Sequence, residues 1–134
     1  MTTKLISYQL KPGQYWLNTQ TEKLYLVIGF VRNAQSYDYD QVLYRSDDMQ
    51  HSHYHTRFIT EWFGTNRVGE PRFVPYFLLT QDQLMLIRKA VSPESEPLLL
   101  KSILIKMFYG TDFYTALDQS LSDFSCFPGD ALPK

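Results

Sequence analysis

The sequence predicts an α+β protein, with a small antiparallel β-barrel over residues 1–79, a helical extension over residues 80–127 and a loose tail over residues 128–134. Short β-branched or aromatic runs bounded by turn residues fill the stretch from Pro12 to Tyr76, and this pattern is typical of a small barrel. From Thr80 the apolar residues recur at helical spacing instead. The hydrophobic content of 44% is sufficient for a core.

Within the predicted barrel, residues 24–32 form the clearest strand, because they are apolar on both faces. Gly29 inside this strand predicts a bulge or a bend. Shorter strands are predicted at residues 14–17, 41–45, 54–59 and 72–79, with a single helical turn at residues 60–63. Residues 1–11 form either a first strand or a loose lead-in, because their period-two alternation is short. The strand at residues 24–32 is therefore expected to be central in the sheet, with a bend at Gly29 that helps the barrel to close.

The helical extension is predicted from its start and stop signals. Thr80 and Gln83 match a capping box, Pro97 suits the first residue of a second helix and Gly110 follows its end. A third helix is predicted from Thr111 or Asp112, with inner residues Phe113, Leu117, Leu121 and Phe124. Residues 97–109 are apolar on most sides, so they are expected to be buried between layers or in a homodimer.

Charge and cysteine content limit the classes of partner. The formal net charge of −1 provides no overall field for nucleic acid, which is therefore not expected as a partner. Cys126 is the single cysteine, which excludes an intramolecular disulfide and fits a reducing compartment. Lys101 and Lys106 interrupt the longest apolar cluster, and the first residues lack the apolar segment of a signal peptide. A cytoplasmic protein without membrane contact is expected.

Three histidines, His51, His53 and His55, alternate along one short stretch. On a strand they would share one face about 6.5–7 Å apart, a separation from which imidazoles can converge on a metal ion. Asp47 or Asp48 could complete the ligand shell. The alternative is a solvated hairpin rim without metal, in which the histidines have no ligating role.

Two arginines form the second candidate site. Arg45 follows Tyr44 and Arg57 precedes Phe58, and planar guanidinium groups beside aromatic rings suit a phosphate, a carboxylate or a nucleotide base. The alternative is an ion pair between one of these arginines and Glu61 that braces the barrel. The full predicted ligand-binding set comprises Arg45, Arg57, Tyr44, Tyr15, Trp62 and Glu61.

A series of short motifs in fixed order covers about half of the chain. The residues that carry it are Pro12-Gly13-Gln14-Tyr15, Tyr25-Leu26-Val27-Ile28-Gly29-Phe30, Val42-Leu43-Tyr44-Arg45, Thr56-Arg57, Glu61-Trp62-Phe63 and Pro71-Arg72-Phe73. In their order and rough spacing, residues 12–76 resemble the small SH3-like barrel family known as domain of unknown function 1653. The resemblance implies an SH3-like barrel and implies no activity. Phe58 departs from the family pattern, which has proline there, and the residues beyond Thr80 lie outside it.

Motifs of catalysis and of cofactor binding do not occur in the sequence: it has no Gly-rich phosphate loop, no Gly-x-Ser-x-Gly and no paired-cysteine zinc motif. We therefore expect a non-catalytic binding module without cofactor, which recognises a small anionic ligand or a protein partner through an aromatic and arginine face. One alternative is a small intracellular effector or inhibitor, bacterial or phage-borne, that acts by protein–protein association. Another alternative is a metal-binding protein or hydrolase that uses the three histidines.

Overall fold

The computed structural model describes residues 10–47 and 53–124, which divide into two compact units. The sheet unit comprises the described residues up to Phe77, and the helical unit comprises residues 78–124. This division falls close to the boundary predicted between residues 79 and 80. Three parts of the prediction lie outside the described residues: most of the first strand or lead-in over residues 1–11, the tail over residues 128–134, and Cys126.

The sheet unit contains five antiparallel strands that curl into a half-barrel. The strands are β1 (Tyr15–Asn18), β2 (Leu24–Arg32), β3 (Tyr39–Ser46), β4 (Tyr54–Phe58) and β5 (Phe73–Val74). Their order across the sheet is β4-β3-β2-β1-β5, which places β2 in the centre as the sequence predicts. The α+β class with an antiparallel sheet is thus confirmed.

Gly29 marks a bulge in β2, as predicted. Val27 pairs with Tyr44, whereas Gly29 pairs with the adjacent residue Leu43, so β2 contains one more residue than β3 at this point. The extra residue allows both Val27 and Phe30 to pack in the same core. The bulge therefore lets a strand that is apolar on both faces bend around that core.

An aromatic cluster fills the inside of the half-barrel. Its buried members are Trp16, Val27, Val42, Tyr44, Trp62 and Phe73. Trp62 comes from the short helix α1 (Ile59–Trp62), the helical turn that the sequence predicts, and its ring stacks on that of Phe73 with centroids 3.8 Å apart and planes at 6°. Trp16 meets Trp62 edge-on with centroids 5.7 Å apart. Such pairs add about 0.5–1.5 kcal/mol beyond the burial of their area.

The prediction of a long last strand over residues 72–79 is wrong. β5 contains only Phe73–Val74, and a 3₁₀ helix follows at Tyr76–Leu78. Pro75 lies between the two and has no backbone N–H to continue the ladder. The apolar run that resembled a strand is therefore divided at the proline.

In the helical unit, the structure describes α2 (Gln81–Ala90), α3 (Glu96–Phe108) and α4 (Phe113–Phe124). The capping box is confirmed, because the Thr80 hydroxyl accepts from the Gln83 backbone N–H at 3.1 Å and the Gln83 side chain accepts from the Thr80 N–H at 3.0 Å. Gly110 has a φ of +107° just after α3, as expected for a helix end.

The apolar helix α3 buries five of its residues, Leu99, Leu100, Ile103, Leu104 and Phe108, whereas Leu98 is exposed. The homodimer through residues 97–109 stays a prediction. The predicted inner face of α4 is correct for Phe113 and Phe124, which are buried. Leu117 and Leu121 are only half-buried, and Ala116 and Ser120 are buried instead.

None of the described helices combines the length and the apolar content that a membrane crossing requires.

Candidate functional site

The sheet unit contains a cavity of about 260 Å³ on the inner face of the half-barrel. Its lining is polar or aromatic and includes two guanidinium groups but no carboxylate. The lining residues are Asn18, Gln20, Thr21, Tyr25, Tyr44, His55, Arg57 and Arg72. In a chain with a formal net charge of −1, these arginines form a local cationic site that the overall composition does not reveal.

The register of β3 and β4 brings three of these side chains together. Tyr44 pairs with His55, and Val42 pairs with Arg57. Since alternate residues of a strand share a face, His55 and Arg57 lie on the same side of the sheet as the buried Tyr44. The ring centroids of Tyr44 and His55 are 5.4 Å apart, and that of Tyr25 on β2 lies 5.5 Å from that of Tyr44. Three rings thus form a wall of the cavity.

Arg57 is held by neutral groups. Its Nε donates a hydrogen bond to the Tyr44 hydroxyl at 3.3 Å, and its guanidinium carbon lies 5.9 Å from the centroid of the Phe73 ring. The expected alternative, an ion pair with Glu61, does not occur among the described residues, and Glu61 is exposed. The two terminal nitrogens of Arg57 carry four N–H donors that this hydrogen bond does not use.

Arg72 is also positioned by neutral oxygens. Its Nε donates to the Glu61 carbonyl at 3.1 Å, and its Nη2 donates to the Thr65 carbonyl at 3.0 Å. These bonds fix the plane of the guanidinium group without neutralising its charge. The other terminal nitrogen, Nη1, keeps both of its donors for a bound group.

Thr19 joins the turn after β1 to the segment that carries Arg72. Its side chain is fully buried, and its hydroxyl donates to the Pro71 carbonyl at 2.6 Å and accepts from Asn66 Nδ2 at 3.0 Å. Its backbone N–H donates to the Arg72 carbonyl at 3.0 Å. This clamp sets the distance across the cavity between the turn and Arg72.

Asn18 presents its amide nitrogen because its oxygen is already occupied. The Oδ1 atom accepts from the backbone N–H groups of Gln20 at 2.9 Å and Thr21 at 3.0 Å. The Nδ2 group takes no part in these bonds, so it adds hydrogen-bond donors at the cavity from the side of the turn.

Two of the predicted ligand-binding residues, Tyr44 and Arg57, line the cavity, as does His55 from the predicted metal set. Arg45 and Tyr15 both pair with Leu26, so they lie on the opposite face of the sheet from Tyr44.

Trp62 is fully buried in the aromatic core, and Glu61 contributes its backbone carbonyl to the support of Arg72. Four lining residues were not predicted: the strand residues Asn18 and Tyr25 and the turn residues Gln20 and Thr21. The pairing of β2 with β3 would have indicated Tyr25, since it lies two residues before Val27, the partner of Tyr44.

The metal hypothesis stays a prediction. His53 and His55 are exposed, and His51 lies outside the described residues. Among the residues that the structure describes, no three His, Cys, Asp or Glu side chains are placed to hold a metal ion. The ring contacts of His55 are to Tyr44 and Tyr25, with centroids 5.4 and 6.4 Å away.

A serine–lysine cluster joins α3 to α4 in the helical unit. Lys106 Nζ donates to the Ser102 hydroxyl at 2.9 Å, and the hydroxyls of Ser102 and Ser120 are 2.7 Å apart. Lys106 also pairs with Asp123 at 3.3 Å. These contacts tie the two helices together.

Comparisons of the chain with protein-family models, with curated proteins and with solved structures gave no match. The resemblance of residues 12–76 to domain of unknown function 1653 stays a prediction.

Proposed function

We propose that the sheet unit is a non-catalytic binding module that holds a small anionic ligand, either free or as a group on a protein partner. The observation that carries this proposal is the pair of arginines, Arg57 and Arg72, which line one cavity and are positioned by neutral oxygens. The SH3-like character of the half-barrel and a cytoplasmic location belong to the same proposal.

The energetics of arginine support an anionic ligand. A guanidinium group that is partly withdrawn from water is costly unless a charged partner compensates. Arg57 is half-buried, and its contacts among the described residues are a phenol oxygen and an aromatic ring. An incoming anion would supply the missing countercharge, and a guanidinium group can hold an oxyanion with two parallel hydrogen bonds.

The arrangement of the other lining groups favours binding over catalysis. A nucleophile needs a base within hydrogen-bond reach. Among the described residues no hydrogen bond joins His55 to a hydroxyl or a carboxylate, and the Tyr44 hydroxyl is engaged by Arg57. These groups are arranged to support the arginines.

The proposal is tested by ligand-induced stabilisation. The unfolding of the sheet unit would be followed by tryptophan fluorescence with and without inorganic phosphate, phenyl phosphate, benzoate and citrate. A ligand at a hundred times its Kd stabilises the folded state by about 2.7 kcal/mol. At least one of these anions should raise the unfolding midpoint of the wild-type protein.

Substitutions assign the effect to the cavity. Hydrogen bonds to charged groups contribute about 1.5–3 kcal/mol, so Arg57→Gln and Arg72→Gln should each weaken binding about ten- to hundredfold. Arg67→Gln is the matched control, because Arg67 is exposed and does not line the cavity. The proposal would be abandoned if no anion stabilised the protein, or if the control weakened binding as much as the two cavity variants.

A further inference from the structure

We infer that the cavity recognises an aryl phosphate monoester, the chemistry shared by a phosphorylated tyrosine side chain and a small free aryl phosphate. The inference rests on the proposed function and deepens it, because it assigns the geometry and the charge of the anion and the kind of group that carries it. Three features of the cavity lead to it: donors from three segments of the chain, two cations and a wall of rings.

The donors of the cavity come from three segments. Arg57 reaches it from β4, Arg72 from the segment before β5 and Asn18 from the end of β1. The Tyr44 hydroxyl accepts from Arg57, so its own hydrogen is free to point at a bound acceptor. A phosphoryl group has three terminal oxygens arranged around phosphorus, whereas a carboxylate has two in one plane. Donors from three segments of the chain therefore suit the three oxygens of the tetrahedral group better.

The charge of the cavity matches a dianion. Arg57 and Arg72 provide two permanent positive charges, and none of the lining residues carries a carboxylate to offset them. A phosphate monoester carries about −1.5 to −2 charges at pH 7. A sulfate monoester has the same tetrahedral shape with one charge, and benzoate has one charge on a planar group. These two anions separate the effect of shape from the effect of charge.

The rings of Tyr25, Tyr44 and His55 select the carrier of the phosphate. The planes of Tyr25 and His55 meet at 78°, and the planes of Tyr44 and His55 are inclined by 35°. A flat ring attached to the phosphate can stack or meet edge-on against such a wall. The cavity volume of about 260 Å³ lies just below the range of about 300–1,000 Å³ that is common for drug-sized ligands. It accommodates a phosphate with a single ring better than a complete nucleotide.

Isothermal titration of the full chain with five matched ligands tests this inference. The ligands are phenyl phosphate, phenyl sulfate, benzoate, methyl phosphate and adenosine monophosphate. Phenyl phosphate should bind at least tenfold more tightly than each of the others. A sixth ligand, N-acetyl-phosphotyrosine amide, distinguishes a phosphorylated tyrosine side chain from a small free aryl phosphate. A site for phosphorylated tyrosine in a protein should bind this ligand at least as tightly as phenyl phosphate.

Two variants connect the preference to the named groups. Tyr44→Phe removes one hydroxyl without a change of ring shape, and it should weaken phenyl phosphate binding tenfold or more. His55→Ala removes part of the ring wall, and it should reduce the preference for phenyl phosphate over methyl phosphate at least threefold. Because His55 is exposed on β4, this variant is expected to fold.

The outcomes separate the inference from the proposed function. If benzoate or phenyl sulfate bound within threefold of phenyl phosphate, the anion would be misassigned and the anion-binding function would stand. If methyl phosphate bound as tightly as phenyl phosphate, the aromatic carrier would be wrong. Tighter binding of adenosine monophosphate would make the site a nucleotide site. Absence of binding by all of the anions would overturn both proposals.

Discussion

Replacement of Thr19 by valine tests whether the clamp across the cavity holds the sheet unit together. Valine has nearly the same shape as threonine, so the change removes a hydroxyl and leaves no large void. The Pro71 carbonyl, which accepts from the Thr19 hydroxyl at 2.6 Å, loses this bond in a buried position. Asn66 keeps its second acceptor, the Glu70 carboxylate at 3.1 Å.

The expected cost of Thr19→Val follows from these contacts. A buried polar group that loses its hydrogen-bond partner costs about 1–3 kcal/mol. Since one carbonyl is left without its partner and Asn66 retains another, we expect a loss of about 2 kcal/mol in the free energy of unfolding. With a urea m-value of about 1–3 kcal/mol/M, the midpoint should fall by roughly 1 M.

The assay can be confined to the sheet unit. The chain has 2 tryptophans, Trp16 and Trp62, and both are fully buried in the aromatic core of this unit. Tryptophan fluorescence in urea therefore reports its unfolding, whereas circular dichroism at 222 nm is dominated by the helices. Thr19→Ser, which keeps the hydroxyl and loses a methyl group, should cost only about 1 kcal/mol. A stability of Thr19→Val within 0.5 kcal/mol of wild type, which is about a quarter of the expected loss, would refute this account of the clamp.

Three further predictions concern the helix caps and one turn. Thr80→Ala should lower the free energy of unfolding of the helical unit by about 1 kcal/mol, as measured by circular dichroism in urea. Thr80→Ser, which keeps the hydroxyl, should retain most of this stability. Equal stability of Thr80→Ala and wild type would contradict the capping role. Asp112 caps the start of α4, because its Oδ1 accepts from the Thr115 backbone N–H at 2.9 Å and its Oδ2 accepts from the Thr115 hydroxyl at 2.9 Å. These two bonds lower the pKa of Asp112 below its usual value of 3.8. The charged carboxylate therefore stabilises α4 above pH 3.8, and this stabilisation is lost as the pH falls through the lower pKa of the folded state. The stability difference between wild type and Asp112→Asn should therefore be constant above about pH 5 and shrink towards pH 2, and a difference independent of pH would contradict it. Gly69→Ala should cost about 1–2 kcal/mol, because Gly69 has a φ of +84°, whereas Gly29→Ala, in a position with ordinary φ and open space, should cost less.

Local signals predicted most of the secondary structure. The bulge at Gly29 and the capping box of Thr80 with Gln83 were found because each depends on residues that are close in sequence. The length of β5 was overestimated because the apolar character of residues 72–79 outweighed Pro75 in the prediction. A proline inside a strand pattern is a reason to end the strand there.

The cavity could be predicted only in part, because it depends on long-range pairing. Asn18 pairs with Phe73, and this contact brings the end of β1 close to Arg72. More than fifty residues separate Asn18 from Arg72 in the sequence. No local spacing reveals such a contact. Strand alternation, by contrast, could have separated Tyr44 from Arg45, since neighbouring residues of one strand point to opposite faces.

The central claim, that the arginine cavity is an anion site, is tested most directly by a titration of ¹⁵N-labelled protein with phenyl phosphate, followed by two-dimensional ¹H–¹⁵N NMR. Signals from residues 18–21 at the end of β1 and in the turn after it, from His55 and Arg57 on β4, and from the Arg72 side chain should shift together and saturate with one dissociation constant. Shifts concentrated in the helical unit, or no saturable shifts at all, would contradict the claim.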